Sequence, residues 1–405
     1  MPEPSDIAIV GGGLVGLCAA LIMQHPSRQV TVLEAGKPGS ENAGGLNTRS
    51  IALASSSVQI FRALDLWSDL EPCAAPITEI HISARERWGV TRLHARDYDL
   101  DALGYVIENH VLNNCLLEAV TESKRIKLVD EAEFDSITQT DQIAIGYRRK
   151  RRQHQLSARF GLIGDGAHSR ARDALGIGHQ RVDYGQVVIV CTVEVSAARI
   201  ETAYERFTTR GPLAMLPLGE NRYACVWTLD PVMANTIAAY EDDAFRSALQ
   251  DCFGFRLGFI EQVGKRFALP IERIQAERLY QGRCLLIGNA ANALHPVAGQ
   301  SFNLSLRDLA GLYELLANVS LQNLDDVGIE AVLIAYAADR EAEQRRVIRY
   351  GDSLVSLFSN RFPMLAQVRA AGLSLLDILP ALKTQVAYAG MGLAYGGNRL
   401  LRGHL

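Results

Sequence analysis

Three glycines near the start of the chain constrain the fold more than any other feature of the sequence. In DIAIVGGGLVGLCAALIMQ, the glycines Gly11, Gly13 and Gly16 have the spacing G-x-G-x-x-G. They separate an apolar, strand-like run from a helical pattern. A second strand-like run, VTVLEA, then brings Glu34 to a position 23 residues beyond Gly11. Strand, glycine turn, helix, second strand and acid in this order predict a Rossmann-type βαβ unit.

Each of these residues has a physical reason in a dinucleotide site. The first glycine permits the tight turn, the second lets a pyrophosphate reach the main chain, and the third lets the helix pack closely on the strand. An acid at the end of the second strand accepts hydrogen bonds from a ribose diol. We therefore expect dinucleotide binding. The alternative is a glycine turn that serves only a close contact between helix and strand.

Composition and charge narrow the class of protein. With 405 residues, 48% of them hydrophobic, the chain has room for two or three domains. A net charge of −4 gives no general attraction to nucleic acid, and we interpret the basic run Arg148–Arg152, which lacks interleaved aromatic residues, as a hairpin turn. Seven cysteines without a C-x-x-C pair argue against a disulfide framework and a zinc site. We expect a cytoplasmic protein without a metal site, a secretory signal or a membrane-spanning helix.

Two later segments also combine a turn with the start of a helix. LIGDGAHSRARDALGI places Asp165, Gly166, Ser169 and Arg172 at a tight turn into a helix. The stretch IGNAANALHPVAGQSFNLSLRD, residues 287–308, begins with small residues and ends in a helical pattern. Its scarcity of large side chains indicates that a ligand or another chain segment lies close to the backbone.

Taken in order, the three segments resemble the aromatic-ring flavoprotein monooxygenases typified by para-hydroxybenzoate hydroxylase. The second segment resembles the family pattern D-G-x-x-S-x-x-R, and the third resembles G-D-A-A-H-x-x-x-P-x-x-G-x-G-x-N. The residues that match the third pattern are Gly288, Ala290, Ala291, Pro296, Gly299 and Asn303. Asn289 stands where the family usually has Asp, and Ser301 where it usually has a second glycine. The asparagine, the L-H-P and the G-Q are similar to a narrower group, the ubiquinone-biosynthesis hydroxylases that act on 2-octaprenyl-6-methoxyphenol.

The resemblance implies an α/β fold of mixed α+β type. Its parts are a Rossmann-like FAD-binding domain, an inserted sheet-based substrate domain and a helical C-terminal region. We expect the FAD-binding domain to be discontinuous, in residues 1–70, 105–178 and 276–345. The substrate-binding sheet is expected in residues 71–104 and 179–275, and the helical region in residues 346–405.

The resemblance also implies cofactors and a reaction. NAD(P)H would reduce FAD, dioxygen would form a flavin C4a-hydroperoxide, and a prenylated phenol would gain a ring hydroxyl group in ubiquinone biosynthesis. Because the flavin performs this chemistry, no side chain is assigned a catalytic role. Residues His295, Pro296, Tyr223 and Trp227 are expected only to line the pocket. The residues implied to bind FAD are Gly11, Gly13, Gly16, Glu34, Arg49, Asn109, Asp165, Gly166, Gly288, Asn289, Pro296, Gly299, Gln300, Ser301 and Asn303.

Several alternatives stay open at this point. Arg49 could be a surface residue at a helix entry, Asn109 an N-cap, and Asp165 a residue that holds only its own turn. The chain could hydroxylate another ring position or a soluble aromatic compound. It could also be an FAD-binding scaffold of a quinone-synthesis complex, or a nicotinamide-dependent dehydrogenase. The apolar C-terminal region could contact the inner face of a membrane, pack against a second copy of the chain, or form ordinary core.

Overall fold

The structure is a computed structural model. It describes residues 5–38, 45–84, 90–208, 211–294, 300–317, 319, 321, 326–359, 380–392 and 398–404. Strands and helices are numbered below in chain order. The helices are α1 (Leu14–Met23), α2 (Ser55–Ala63), α3 (Trp67–Leu70), α4 (Asn109–Glu122), α5 (Arg170–Ala174), α6 (Pro231–Ala238), α7 (Asp242–Phe253), α8 (Gln300–Leu316), α9 (Asp326–Ser359) and α10 (Pro380–Gly390).

One sheet has a parallel centre, as the Rossmann prediction requires. Its strands are β1 (Ser5–Val10), β2 (Val30–Leu33), β8 (Ile126–Val129), β9 (Glu133–Gln139), β10 (Ile143–Arg149), β11 (Arg152–Ile163), β18 (Tyr280–Gln281) and β19 (Cys284–Leu286). The order β19-β11-β1-β2-β8 is parallel throughout. Strands β9 and β10 and the edge strand β18 are antiparallel additions. We call this sheet the Rossmann sheet.

The Rossmann sheet is buried on both faces. Ile7 and Ile9 belong to a hydrophobic cluster that also contains residues of α1, α4 and α8. Ala8 and Val10 belong to a second cluster with residues of β10 and β11. Because side chains alternate along a strand, a strand covered on both sides is apolar throughout, which explains the uninterrupted run in β1.

A second, larger sheet is antiparallel over most of its width. Its strands are β5 (Glu79–Ala84), β6 (Val90–His94), β12 (His179–Val195), β13 (Thr202–Thr208), β14 (Gly211–Pro217), β15 (Arg222–Leu229), β16 (Ile260–Val263), β17 (Phe267–Ala276) and β20 (Asn292–Ala293). The order is β20-β17-β12-β15-β14-β13-β5-β6, with β16 paired to β12. Helices α6 and α7 cover one face through a core that contains Phe245, Leu249 and Phe253. We call this sheet the large sheet.

A small third sheet and a pair of helices complete the described fold. The sheet is formed by β3 (Ser50–Ala54), β4 (Ala75–Ile77) and β7 (Gly104–Glu108). Helices α8 and α9 pack together around buried ion pairs: the Arg307 Nε donates to Glu343 Oε1 at 2.5 Å, and the Arg340 Nε donates to Asp308 Oδ1 at 2.8 Å. None of the helices in the described residues is long and apolar enough to cross a membrane.

The structure also settles the basic run and places two elements near the expected domain boundaries, which stay predictions. Arg148–Arg152 spans the end of β10, the turn and the start of β11, so the hairpin interpretation is correct. Strand β4, within the range expected for the substrate sheet, instead pairs with β7 beside the Rossmann sheet. Helix α9 runs unbroken through position 345, where the C-terminal region was expected to begin. Strand pairing and helix continuity depend on partners that local sequence patterns do not specify.

Candidate functional site

The glycine turn between β1 and α1 contains two glycines that close packing requires and one that has open space beside it. A Cβ on Gly11, where φ is +103°, would lie 2.4 Å from the carbonyl oxygen of Gly164. On Gly16 it would lie 1.8 Å from the carbonyl oxygen of Gly11. A Cβ on Gly13 would meet nothing within 4 Å. Gly11 and Gly16 are therefore required by packing, whereas Gly13 keeps open space at the N-terminus of α1, where the helix dipole favours an anion.

Glu34 is fixed beside the same turn. Its Oε2 accepts a hydrogen bond from the Gly12 N–H at 2.6 Å, and its Oε1 accepts one from the Gly36 N–H at 2.7 Å. The side chain is only partly buried. Because each carboxylate oxygen has a second acceptor position, Glu34 can still accept a hydrogen bond from a ribose hydroxyl group.

Asp165 holds its own turn. Its Oδ1 accepts a hydrogen bond from the Ser169 hydroxyl group, and its Oδ2 accepts one from the Ala171 N–H at 3.1 Å. Gly166, at φ +95°, has nothing within 4 Å of an added Cβ. The structure thus shows the local role that was left open for Asp165, and it leaves space at Gly166.

Arg172 ties this turn to the segment after β19. It is almost completely buried, and its guanidinium donates to the carbonyl oxygens of Ala167 at 3.0 Å and Ala290 at 3.2 Å. Two segments more than a hundred residues apart are therefore held in contact. The sequence pattern contained Arg172 but did not reveal this bridging role.

Asn303, in the second turn of α8, anchors that helix to β3 and α2. Its Oδ1 accepts hydrogen bonds from the Ala54 N–H at 2.8 Å and the Ser57 hydroxyl group at 2.7 Å. Its Nδ2 donates to the carbonyl oxygen of Ala52 at 2.9 Å. The residue is 2% exposed. The side chain of Asn303 is thus committed to positioning α8.

Asn289 and Ser301, two residues that depart from the family pattern, lie side by side. The Ser301 hydroxyl group donates to Asn289 Oδ1 at 2.9 Å. Ser301 lies within α8 and is not among the residues with positive φ, so its backbone does not need glycine. Gly288 does need it, because its φ is +59°.

Gln300 connects the first turn of α8 to the end of α10. Its Nε2 donates to the carbonyl oxygen of Gly390 at 3.2 Å, while its buried Oε1 has no hydrogen-bond partner. His295, Pro296 and Gly299, which were expected to bind FAD or to line the pocket, lie outside the described residues.

Arg49 and Asn109 meet where β3 begins and the paired strand β7 leads into α4. The Asn109 N–H donates to the carbonyl oxygen of Arg49 at 2.8 Å. Asn109 is the first residue of α4 and its side chain makes no capping hydrogen bond, so the N-cap alternative is wrong. Its buried Oδ1 has no hydrogen-bond partner. The guanidinium of Arg49 lies 5.6 Å from the ring centre of Phe267 in the large sheet.

These features fit an FAD molecule in two independent ways. Gly13 leaves main chain open at a helix N-terminus, as a pyrophosphate requires. The Asn109 Oδ1 is a buried acceptor without a donor, and such a group is costly unless a ligand or water supplies the donor. The hydroxyl groups of an FAD ribityl chain are donors of the right kind.

Tyr223 and Trp227 do not lie where a pocket was expected. Both belong to the hydrophobic core between the large sheet and helices α6 and α7, and they are 0% and 2% exposed. The Tyr223 hydroxyl group donates to the carbonyl oxygen of Arg199. We therefore do not retain either as a pocket residue. The apolar alternation of β15 was visible in the sequence, but the face covered by the helices was not.

The opposite face of the large sheet meets the Rossmann part of the chain. The Thr192 hydroxyl group donates to the carbonyl oxygen of Thr48 at 3.2 Å. Ala203 and Ala224 of the large sheet share a cluster with Val106 of β7. We call this surface the inner face. A carboxylate on this face that sequence reasoning missed is Glu205, because nothing in YERFT distinguishes it from a solvated strand residue.

Comparisons with known proteins agree with this geometry. Residues 4–350 match the family described as FAD binding domain. The chain is 31% identical to the ubiquinone hydroxylase UbiL of Rhodospirillum rubrum, over 98% of this chain and 93% of that protein. It is 28% identical to the 3-demethoxyubiquinol 3-hydroxylase of Escherichia coli, over 96% of this chain and 99% of that protein.

Solved structures show a similar fold. The p-nitrophenol 4-monooxygenase PnpA of Pseudomonas putida superposes with a TM-score of 0.78 at 17% identity, covering 96% of this chain and 99% of that one. PqsL of Pseudomonas aeruginosa, in complex with 2-aminobenzoylacetate, gives a TM-score of 0.76 at 19% identity, covering 92% of this chain and 99% of that one. At these identities the likeness concerns the fold alone.

Proposed function

The chain belongs to the FAD binding domain family and, within it, to the ubiquinone-biosynthesis hydroxylases, and we propose that it hydroxylates the ring of a prenylated phenol. It is an FAD-dependent monooxygenase, and NAD(P)H and dioxygen are the co-substrates typical of its family. The specific substrate that we propose is of the 2-octaprenyl-6-methoxyphenol type. The Rossmann sheet with its helices is proposed as the FAD-binding unit, and the large sheet as the substrate-binding unit.

The residues described above divide the work of holding FAD. The open main chain at Gly13 would bind the pyrophosphate. Glu34 would accept a hydrogen bond from a ribose hydroxyl group, and the Asn109 Oδ1 would accept one from a hydroxyl group of the ribityl chain. When bound, FAD supplies the activation of dioxygen. The N-terminus of α8, with Gln300 and Ser301, would place a positive helix end near the cofactor ring.

One observation carries the proposal: the FAD-binding part of the chain meets the apolar inner face of the large sheet directly. Arg49 lies over Phe267, and Thr48 accepts a hydrogen bond from Thr192. Neighbouring inner-face residues are aliphatic, including Val190 and Val226. A surface of this kind can bind an apolar aromatic ring next to the cofactor and exclude water from the reaction.

We propose a membrane surface, a quinone-synthesis complex or a second copy of the chain as partners. Contact with such a partner would deliver a substrate with a long prenyl tail. One face of α10 is not available for such contacts. Its residue Ala387, with Met391 just beyond the helix, packs against Leu93 and Leu103. Partner contacts would therefore use other surfaces of the chain.

A second ring position has a specific observation in its favour. The E. coli relative is named as a 3-hydroxylase of demethoxyubiquinol, and it aligns with this chain over nearly its whole length. The position of hydroxylation is thus to be decided by the product. We propose the methoxyphenol reaction first, because the segment from Gly288 to Asn303 resembles that group.

The test uses purified protein with FAD, NADPH and ¹⁸O₂. Two short-prenyl substrates are compared, a methoxyphenol and a demethoxyubiquinol. We expect a methoxyphenol product that is heavier by one labelled oxygen, read by mass spectrometry. Labelled product from the demethoxyubiquinol alone would favour the second ring position. Oxidation of NADPH with hydrogen peroxide as the only product, on both substrates, would count against the proposal and favour a scaffold.

A further inference from the structure

Strand β13 has two chemically different faces. Tyr204 packs edge-on against Phe253 of α7, and the Arg206 Nε donates to the carbonyl oxygen of Cys252 at 3.1 Å. These two side chains therefore point to the helices. Because side chains alternate along a strand, Ala203, Glu205 and Phe207 point to the inner face. The position of Ala203 in a cluster with Val106 of β7 agrees with this direction.

Glu205 stands in a row across the inner face in which five of its six neighbours are apolar. Strand register aligns seven residues from neighbouring strands, and aligned residues share a face. The row consists of Thr91, Ile82, Glu205, Ala214, Val226, Val190 and Phe267. Glu205 is the only ionisable residue in it. Phe267, at one end, is the ring beneath Arg49.

Two chains of contact connect this position to the proposed FAD site. On one side, Ala203 packs with Val106 of β7, and β7 leads directly into Asn109. On the other side, Ile80 packs against the cluster that contains Met391, next to the Gly390 whose carbonyl oxygen accepts from Gln300. Ala203 and Ile80, which lie beside Glu205 on the inner face, thus pack against β7 and the end of α10.

The carboxyl group of Glu205 is dehydrated and, in the described part of the chain, has no partner. The residue keeps part of its accessible surface. Nevertheless, desolvation raises the pKa of its carboxyl group from 4.5 to about 7, and no neighbouring charge contributes. Among the hydrogen bonds and ion pairs of the described residues, none involves the Glu205 side chain. An acceptor that is accessible, dehydrated and without a partner is suited to bind a ligand donor.

We propose that Glu205 is the general base that accepts the phenolic proton of the substrate. This inference rests on the proposed function, since it requires a phenol at the inner face. An ionised phenol is the more electron-rich ring and attacks an electrophilic oxygen more readily. Removal of the proton inside a closed site requires an acceptor there, because bulk water is excluded.

The proton transfer balances without any further reagent. The O–H bond of the phenol breaks, an O–H bond forms on the Glu205 carboxylate, and no oxidation state changes at either residue or ring. The electrons and the oxygen atom come from NAD(P)H and dioxygen, as in the proposed reaction. After the ring carbon has gained its oxygen, the C–H bond at that carbon breaks and its proton leaves with the second oxygen atom of dioxygen as water. The proton held by Glu205 returns to the phenolic oxygen of the product, which restores the carboxylate.

The local acidity suits this role. A phenol ionises with a pKa of about 10. A carboxyl group with a pKa of about 7 is a better match for it than one at the ordinary 4.5, and it is still largely ionised slightly above neutral pH. The raised pKa is therefore a consequence of the apolar row that also suits the ring.

The experiment compares Glu205→Gln with Glu261→Gln, which makes the same change on an exposed residue of β16 in the same sheet. Each holoenzyme receives NADPH and two classes of short-prenyl phenol: an ordinary phenol, protonated at the assay pH, and a nitrophenol that is already ionised. Product, hydrogen peroxide and NADPH are measured together. Substrate affinity is measured separately from the change in flavin absorbance.

We expect Glu205→Gln to lose about 100-fold or more of hydroxylation on the ordinary phenol, the usual contribution of a general base, with peroxide released instead. Hydroxylation of the nitrophenol should fall by less than about threefold, because this substrate has already lost its phenolic proton. Affinity for the ordinary phenol should be unchanged, and affinity for the ionised nitrophenol should not fall, because the variant lacks a carboxylate that repels this anion. Glu205→Asp should recover part of the loss. Glu261→Gln should match the parent protein.

Two results would overturn the inference while leaving the proposed function standing: undiminished hydroxylation of the ordinary phenol by Glu205→Gln, or an equal loss on both phenols. The second would assign Glu205 a structural role. If the parent protein hydroxylates neither phenol, the proposed function itself fails and the inference fails with it. The parent protein alone therefore separates the two failures.

Discussion

The Ser301 hydroxyl group donates a hydrogen bond of 2.9 Å to Asn289 Oδ1. These residues occupy two of the positions where the third motif departs from its family pattern. One follows β19 and the other lies in the first turn of α8, so the bond joins the two ends of the motif. The two departures are therefore linked, and neither should be judged alone.

This link predicts that the two side chains contribute to stability together. Ser301→Ala and Asn289→Ala each remove the same hydrogen bond, so the double variant should be more stable than the sum of the single losses indicates. We expect a coupling free energy of about 0.5–1.5 kcal/mol, the range for one hydrogen bond. Urea unfolding of the four proteins measures it. Single losses that add within about 0.3 kcal/mol would show that the bond contributes nothing.

The glycine turn predicts opposite behaviour at two positions of one motif. Gly13→Ala adds a Cβ into open space, so the apoprotein should unfold at the same temperature while FAD binding weakens. Gly16→Ala forces a Cβ to within 1.8 Å of the Gly11 carbonyl oxygen, so the fold itself should be destabilised. Thermal unfolding of the apoproteins and FAD titration followed by flavin fluorescence distinguish the two. Full FAD affinity in Gly13→Ala would remove this glycine from the pyrophosphate site.

Asn303 predicts a loss of stability that does not depend on cofactor. Asn303→Ala leaves the buried Ala54 N–H and Ala52 carbonyl oxygen without their partner, and we expect a loss of about 2–4 kcal/mol. Ser57→Ala keeps Asn303 and removes only one donor to its Oδ1, so its loss should be smaller. Denaturant unfolding of the apoproteins provides the measurement. Equal stability of all three proteins would contradict the anchoring role.

Local constraints explain which parts of this site could be predicted from the sequence. Gly11 and Gly16 are required by contacts within one turn and its neighbouring strands, and their spacing alone revealed them. For Asn303 the motif gave the position but not the function, because its partners Ala54 and Ser57 lie about 250 residues earlier. Asn109 was open to interpretation as a cap, and only the observed start of α4 excluded it.

The large sheet shows what a pattern of alternation leaves undetermined. Alternation in β15 and β13 indicates which residues share a face, but not which face the helices cover. Tyr223 and Trp227 were therefore expected to line the pocket, although they face α6 and α7. Glu205 was not predicted as a site residue, since its dehydration arises from packing against segments distant in the sequence. Non-local packing thus decides both the error and the omission.

The dehydration of Glu205 predicts a pH dependence of stability that is separate from catalysis. Its pKa is raised in the folded protein to about 7 from 4.5, so between these pH values the folded state binds more protons than the unfolded state. The free energy of unfolding therefore falls as the pH rises through that window. Above pH 7 the folded protein bears the full cost of ionising the dehydrated carboxyl group. Glutamine cannot ionise, and Glu205→Gln should escape this cost.

We accordingly expect Glu205→Gln to be more stable than the parent protein at pH 8 by about 1–3 kcal/mol, the upper value being reduced because the site is partly accessible. At pH 4.5 the two should differ little. Urea unfolding between pH 4.5 and 8.5 provides the measurement, with the exposed Glu261→Gln as the control that should show no such trend. A parent protein that equals Glu205→Gln at every pH would place the carboxylate in contact with bulk water. That result would also remove the physical basis for a base at the inner face, because a hydrated carboxylate has its ordinary acidity and no reason to receive a phenolic proton.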